Sequence, residues 1–315
     1  MARRKSFAVA SSSSYFLEFF LRLILRILAL AVVLFVALAA VGGGLTYYVI
    51  TRQNSQEAVT PQSYLLSSYI PLNFTDTSGG EHEGWLLLGL RRAPVIILSH
   101  GYDSNRSDLL SLGDILRNNH FNVYVFNFHG PKANERYSDL GPRQAADLNS
   151  AIEAVTRQPE VNHNRIGLYG TSLGGYAALA AAQSNSKVKA LVVDMTYETP
   201  DQMFDMQIDR LLGGSSRLFR ILTEAEFHLS LLGKKPPPLL ANATRLEGMP
   251  KLFILGRDIP PLAEMTEGIY NQVPQPKRLL IMEHSLAGLT AVGEKKEYED
   301  QVLNFFLQSL SLRAN

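Results

Sequence analysis

Glycines stand two residues to either side of Ser172, in the run Gly170-Thr171-Ser172-Leu173-Gly174. An apolar, strand-like segment precedes it, Ile166-Gly167-Leu168-Tyr169, and an alanine-rich helical segment follows, Gly174-Gly175-Tyr176-Ala177-Ala178. A serine hydroxyl becomes a nucleophile where a sharp strand-to-helix turn presents it near the positive end of a helix dipole. Such a turn strains the backbone, and the flanking glycines keep Cβ atoms out of a crowded approach. An ordinary loop could carry the same residues. The strand before and the helix after are what the nucleophilic reading requires, and both are written here.

The surrounding pattern must hold that turn in place. Short apolar or β-branched runs alternate with helix-length amphipathic stretches, which predicts an α/β fold of βαβ units with a largely parallel sheet. Strands are expected at Tyr69–Thr75, Trp85–Leu90, Val95–Ser99, Val123–Phe128, Arg165–Tyr169, Val188–Val193, Leu252–Leu255 and Arg278–Met282. Helices are expected at Leu109–Asn118, Pro142–Thr156, Leu173–Gln183 and Tyr298–Leu310. The turn composition Asp76-Thr77-Ser78-Gly79-Gly80 joins the first two strands as an antiparallel hairpin at one edge. Residues 197–249 break the alternation. They hold apolar helix candidates at Met203–Leu212 and Leu218–Leu232, then the stiff connector Lys234-Lys235-Pro236-Pro237-Pro238, and so read as a helical lid.

Taken together, these features resemble the α/β-hydrolase superfamily, from roughly Tyr64 to Leu312. Val95-Ile96-Ile97-Leu98-Ser99-His100-Gly101-Tyr102 is similar to the family's third strand ending in a His-Gly signature. The resemblance implies that the Tyr102 and Leu173 backbone N–H groups form an oxyanion hole, and that His100 holds its loop rather than acting as base. By family order the acid follows a late strand, at Asp258 in Leu255-Gly256-Arg257-Asp258, with Asp194 as the substitute if Asp258 is only a turn residue. The base follows the last strand, and His284 satisfies the chain order Ser, Asp, His; Glu283 beside it reads as a surface carboxylate. His82, His120, His129, His163 and His228 read as surface or packing residues. Asn105-Arg106-Ser107-Asp108 resembles a stretch of bacterial membrane-anchored members, whereas Asn127 and His129 depart from the family's usual turn after its fourth strand. The chemistry implied is hydrolysis of an ester, thioester or related acyl bond, with a serine peptidase or a non-catalytic binding protein as alternatives.

Composition excludes other classes. Thirty basic and 29 acidic side chains nearly cancel, so no electrostatic footprint for nucleic acid exists, and the absence of cysteine removes disulfides, thiolate metal sites and a thiol nucleophile. No His/carboxylate spacing suggests a metal, and no phosphate loop or dinucleotide fingerprint suggests a cofactor. Residues 27–50 carry no charge and are long enough to cross a bilayer. They read as a transmembrane anchor, with residues 1–26 a cytoplasmic basic and interfacial segment and residues 51–64 a polar stalk. The rival reading is a signal peptide cleaved after Ala37-Leu38-Ala39. Arg3, Arg4, Lys5, Arg22 and Arg26 precede the span and only Arg52 closely follows it, which leaves the N-terminus inside and the catalytic domain outside. The apolar lid and the anchor favour a lipid-like acyl substrate.

Overall fold

In the computed structural model the described residues are 12–52, 57, 59–64, 68–128, 137–233 and 236–310; His129, Lys234, Lys235 and Leu312 lie outside them. The chain opens with α1 (Ser12–Thr51), one helix that starts well before residue 27. Next come β1 (Tyr69–Pro71), β2 (Phe74–Thr75), β3 (Glu81–His82), β4 (Gly84–Leu87) and β5 (Ala93–Ser99). Then follow α2 (Leu110–Asn118), β6 (Asn122–Phe126), α3 (Pro142–Thr156), β7 (Val161–Thr171), α4 (Leu173–Ser184) and β8 (Val188–Asp194). Two helices in the stretch expected to form the lid, α5 (Pro200–Leu212) and α6 (Arg217–Ser230), precede β9 (Lys251–Gly256), α7 (Pro260–Gln272), β10 (Lys277–Met282) and α8 (Val292–Ser309).

Eight strands form the main sheet in the order β1-β4-β6-β5-β7-β8-β9-β10, parallel from β6 to β10 and antiparallel at the β1-β4-β6 edge. The edge hairpin expected from the sequence is the β1–β4 pair, with Tyr69 opposite Leu87 and Pro71 opposite Trp85. Its first strand is shorter than expected. Pro71 has no N–H to give a ladder, and the chain leaves the sheet there to form the small β2–β3 ribbon.

Side chains alternate along β5: Val95 and Ile97 enter one core, Ile96 and Leu98 the other. The first core lies under α3, α4 and the lid, the second under α2 and α8. This two-sided burial explains why the central strands read as continuous apolar runs. The helices begin where local chemistry puts them. Pro142 opens α3 and Pro200 opens α5, each in the first turn where a missing N–H costs nothing, and Thr199 caps α5 by accepting from the Gln202 N–H at 3.3 Å.

The segment between α1 and β1 is tied to the domain. Glu57 pairs with Arg106 at 2.8 Å and accepts from Asn127 Nδ2 at 2.6 Å, and the Arg106 guanidinium lies 3.7 Å from the Trp85 ring centroid. Arg52 pairs with Asp103 at 2.5 Å.

Candidate active site

β7 ends at Thr171 and α4 starts at Leu173, so Ser172 alone makes the corner, at φ 51° and ψ −113°. A non-glycine residue held there costs on the order of 1–3 kcal/mol, so its surroundings must impose the conformation. They do so from β8. The Ser172 N–H donates to the carbonyls of Asp194 (3.0 Å) and Met195 (2.7 Å), and Thr196 Oγ1 donates to the Ser172 carbonyl at 3.2 Å. The corner also needs its glycines: a Cβ on Gly170 would lie 2.1 Å from the Gly174 carbonyl oxygen, and one on Gly174 would lie 2.3 Å from that of Ser99.

The loop after β5 lies directly over the serine. A Cβ built on Gly101 would be 3.4 Å from Ser172 Cβ. Leu173 sits in the first turn of α4, where a backbone N–H has no partner within the helix. His100 behaves as a loop-holding residue. It is buried, its Nδ1–H donates to the Gly101 carbonyl at 2.8 Å, and its Nε2 accepts from the Phe128 N–H at 3.2 Å. Tyr102 is fastened from the other side, its hydroxyl donating to the Val49 carbonyl of α1 at 3.0 Å.

The segment after β10 carries His284. Its imidazole is half-exposed, and Nδ1 lies 2.9 Å from both carboxylate oxygens of Glu294 in the first turn of α8. The bond to Glu294, which favours the imidazolium, raises the His284 pKa above its usual value. Among the described residues no hydrogen bond joins His284 to Ser172 or to Asp258. Asp258 instead accepts from Ser285, from the backbone N–H and from Oγ, both at 2.9 Å. His284 and Asp258 are nonetheless neighbours: a Cβ on Gly288 would lie 2.4 Å from Asp258 Oδ2 and 3.2 Å from His284 Cβ. Glu283 pairs with Arg257 at 2.7 Å in the open.

Asp194 supports the same segment from below. It is fully buried, and its Oδ2 accepts from the Leu286 N–H (3.0 Å) and the Tyr298 hydroxyl (2.8 Å), the latter also 2.7 Å from the Tyr169 hydroxyl. Burial is the main reason its carboxyl is pushed up to about 6.

Two features escape sequence reading. Glu294 is the carboxylate that meets His284, and its signal is an acid ten residues on, at a helix start. Asp76, His82 and Asp147 converge from three separate elements, with ligand-type atoms within 4.8 Å of one another. Here the ring nitrogens are already engaged. His82 Nδ1 lies 3.1 Å from the Asn127 carbonyl and Nε2 lies 3.0 Å from Asp76 Oδ2. Burial works to raise the Asp76 carboxyl, but bonds from His82, Ser78 and Gly80 outweigh it and bring it down to about 2.

A strained serine between a parallel strand and a helix, under a His-Gly loop, is the geometry of one large superfamily, and comparison agrees. Residues 94–230 match a family described as alpha/beta hydrolase fold. The Pyrococcus furiosus esterase Pf2001 superposes with a TM-score of 0.66 at 18% identity, over 84% of this chain and 99% of that one. The chain has the α/β-hydrolase fold. It is 26% identical to the uncharacterised protein YfhR of Escherichia coli O157:H7, over 76% of this chain and 81% of that protein. It is also 28% identical to the thiohydrolase aneE of Aspergillus aculeatus, over 40% of this chain and 41% of that one. Hydrolase activity on esters or thioesters is thus supported at the level of the superfamily. α1 is long and apolar enough to cross a membrane, with a mean hydropathy of 2.9 in its most apolar window.

Proposed function

We propose that this α/β-hydrolase is a membrane-anchored serine hydrolase that cleaves an ester or thioester through Ser172, His284 and Asp258. The observation that carries the reading is the strained Ser172 corner, a conformation that three hydrogen bonds and the clearances at Gly170 and Gly174 maintain. In the reaction, Ser172 Oγ attacks the acyl carbon and gives its proton to His284 Nε2. The Tyr102 and Leu173 N–H groups receive the oxyanion, each worth about 3 to 4 kcal/mol in the transition state. His284 then protonates the leaving alcohol or thiol, and water, deprotonated by His284, releases the acid.

Asp258 is assigned as the triad carboxylate. It already holds Ser285, the residue next to the base, and flanks Gly288 together with His284, so the reading requires the imidazole to turn from Glu294 toward Asp258 during catalysis. Glu294 is then the partner of the resting base. α1 anchors the chain with its N-terminus in the cytoplasm and the catalytic domain outside, since Arg22 and Arg26 lie before its uncharged stretch.

The test is covalent labelling of the full chain in detergent by a fluorophosphonate. Wild type is expected to label and Ser172→Ala to remain blank. Labelling that persists in Ser172→Ala removes Ser172 from the role, and an unlabelled wild type favours a tethered binding protein that has kept the fold.

A further inference from the structure

α1 is not only an anchor. Residues 15–38 are exposed all round, but from there the helix buries Gly42, Thr46, Val49 and Ile50, at helical spacing, against the lid helices. Gly42 permits the close approach, since a Cβ there would lie 2.7 Å from Glu226 Oε2 of α6. Beside this contact is a hollow of about 440 Å³. Gly43, Thr46, Tyr47 and Ile50 form one wall and Glu226, Leu229 and Leu232 the other. Tyr137 closes it, next to Ser138, whose N–H donates to the Ile50 carbonyl at 2.7 Å.

The hollow is mostly apolar, with Ser230, Tyr47 and Tyr137 adding hydroxyls to its lining, and two buried polar atoms of its wall, Thr46 Oγ1 and Glu226 Oε2, have no hydrogen-bond partner among the described residues. Thr46 is only 4% exposed, so its hydroxyl is a buried polar group awaiting one. Burial also pushes the Glu226 carboxyl up, toward a neutral group that can both donate and accept. The space therefore suits an apolar chain that carries a hydroxyl.

The approach to it is apolar as well. The inner face of α6 buries Thr223 and Phe227, yet its outer face is also apolar: Leu218, Ile221, Ala225 and Leu229 recur every three or four residues, and Leu232 continues them. Leu218 is 81% and Leu232 is 83% exposed. Exposed Val41 and Tyr47 of α1 stand alongside, so an unbroken apolar surface runs from the proposed bilayer helix onto the lid.

We propose that the hollow between α1 and α6 is a lipid site: one acyl chain of a hydroxyl-bearing bilayer lipid enters along the α6 stripe, with its hydroxyl on Thr46 and Glu226. This deepens the serine-hydrolase reading and rests on it, naming the substrate class as a long-chain acyl ester drawn from the membrane. Ile50 of the hollow adjoins Val49, whose carbonyl accepts from the Tyr102 hydroxyl, and this places the ester end of the chain toward the oxyanion loop.

The experiment uses the full chain in phosphatidylethanolamine–phosphatidylglycerol nanodiscs doped with a diazirine-bearing monoacylglycerol, with photoadducts mapped by mass spectrometry. Adducts are expected on residues 43–50 and 226–232. In Gly43→Phe, whose ring enters the hollow, they should fall at least tenfold, and in Ile281→Phe, at an exposed position on β10, they should persist. Thr46→Val, which keeps the shape, should lose adducts of the monoacylglycerol but keep those of the corresponding methyl ester. The ratio of kcat/KM for p-nitrophenyl palmitate over butyrate should drop about tenfold in Gly43→Phe, the effect of about two methylenes kept from burial. Adducts confined to residues 15–38, or unchanged in Gly43→Phe, overturn the site. Wild type that hydrolyses neither ester while the mapped adducts remain overturns the hydrolase reading and leaves the lipid site standing.

Discussion

Two inactive variants of the same residue can measure the strain at the Ser172 corner. Ser172→Gly and Ser172→Ala both remove the hydroxyl, and they differ in whether a Cβ is held at φ 51°. Alanine keeps the misplaced Cβ, at on the order of 1–3 kcal/mol. Glycine avoids that but gains freedom in the unfolded chain, at about 0.4–1 kcal/mol. The midpoints leave glycine more stable by about 1.3 kcal/mol, and a domain of this size shifts by about 2–4 °C per kcal/mol, so Ser172→Gly should melt roughly 3–5 °C above Ser172→Ala. Trp85, the only tryptophan, is buried in β4 against Arg106 and reports the unfolding by its fluorescence in detergent. Ala177→Gly, inside α4, should show the opposite sign, because there glycine has only its cost. Equal melting of the two Ser172 variants, or greater stability of the alanine, would refute the claim that the fold imposes strain at the nucleophile.

The two carboxylates near His284 separate by kinetics. Asp258→Asn should lower kcat by orders of magnitude, whereas Glu294→Gln should mainly change the pH profile. Glu294 raises the His284 pKa and the base must be neutral to act, so Glu294→Gln should move the acid limb of kcat/KM to lower pH. If Glu294→Gln costs the orders of magnitude instead, Glu294 is the triad acid. Between the lid helices, burial and then the charge and bond of Glu224 push Asp205 up to about 7, with Asp209 adding and Arg220 opposing. A carboxyl raised in the fold stabilises below its ordinary range near 4 and loses that contribution as pH rises through about 7. Amide exchange of α6, corrected for its intrinsic pH dependence, should therefore speed up as pH rises from about 4 to about 7 in wild type, level off above that, and stay flat in Asp205→Asn; a flat wild-type profile would refute the raised carboxyl.

The sequence is most legible where structure is decided locally. The Ser172 corner depends on glycines two residues away, and α3 begins at Pro142 because proline is preorganised for a first turn. Pro260 opens α7 in the same way, a helix missing from those expected of the sequence. The helix α8 begins at Val292 rather than Tyr298, because its first two turns are polar and lack the apolar spacing that reveals its buried face. Contacts between distant segments were hidden for a different reason. Nothing local in Glu294, Asp76 or Asp147 tells which histidine each will meet, and the docking face of α1 is masked because every face of that stretch is apolar.

The contact between α1 and the lid bears on how the domain is mounted. A flexible stalk over residues 51–64 would let the catalytic domain wander by roughly 20 Å, sampling any orientation to the bilayer. A stiff helix gripped by α6, with its last carbonyls held by Tyr102 and Ser138, removes that freedom. Height and azimuth become properties of the helix register. One residue inserted between 38 and 42 would turn the mouth of the site by about 100° and face the leucines of α6 away from the lipid they are set to meet.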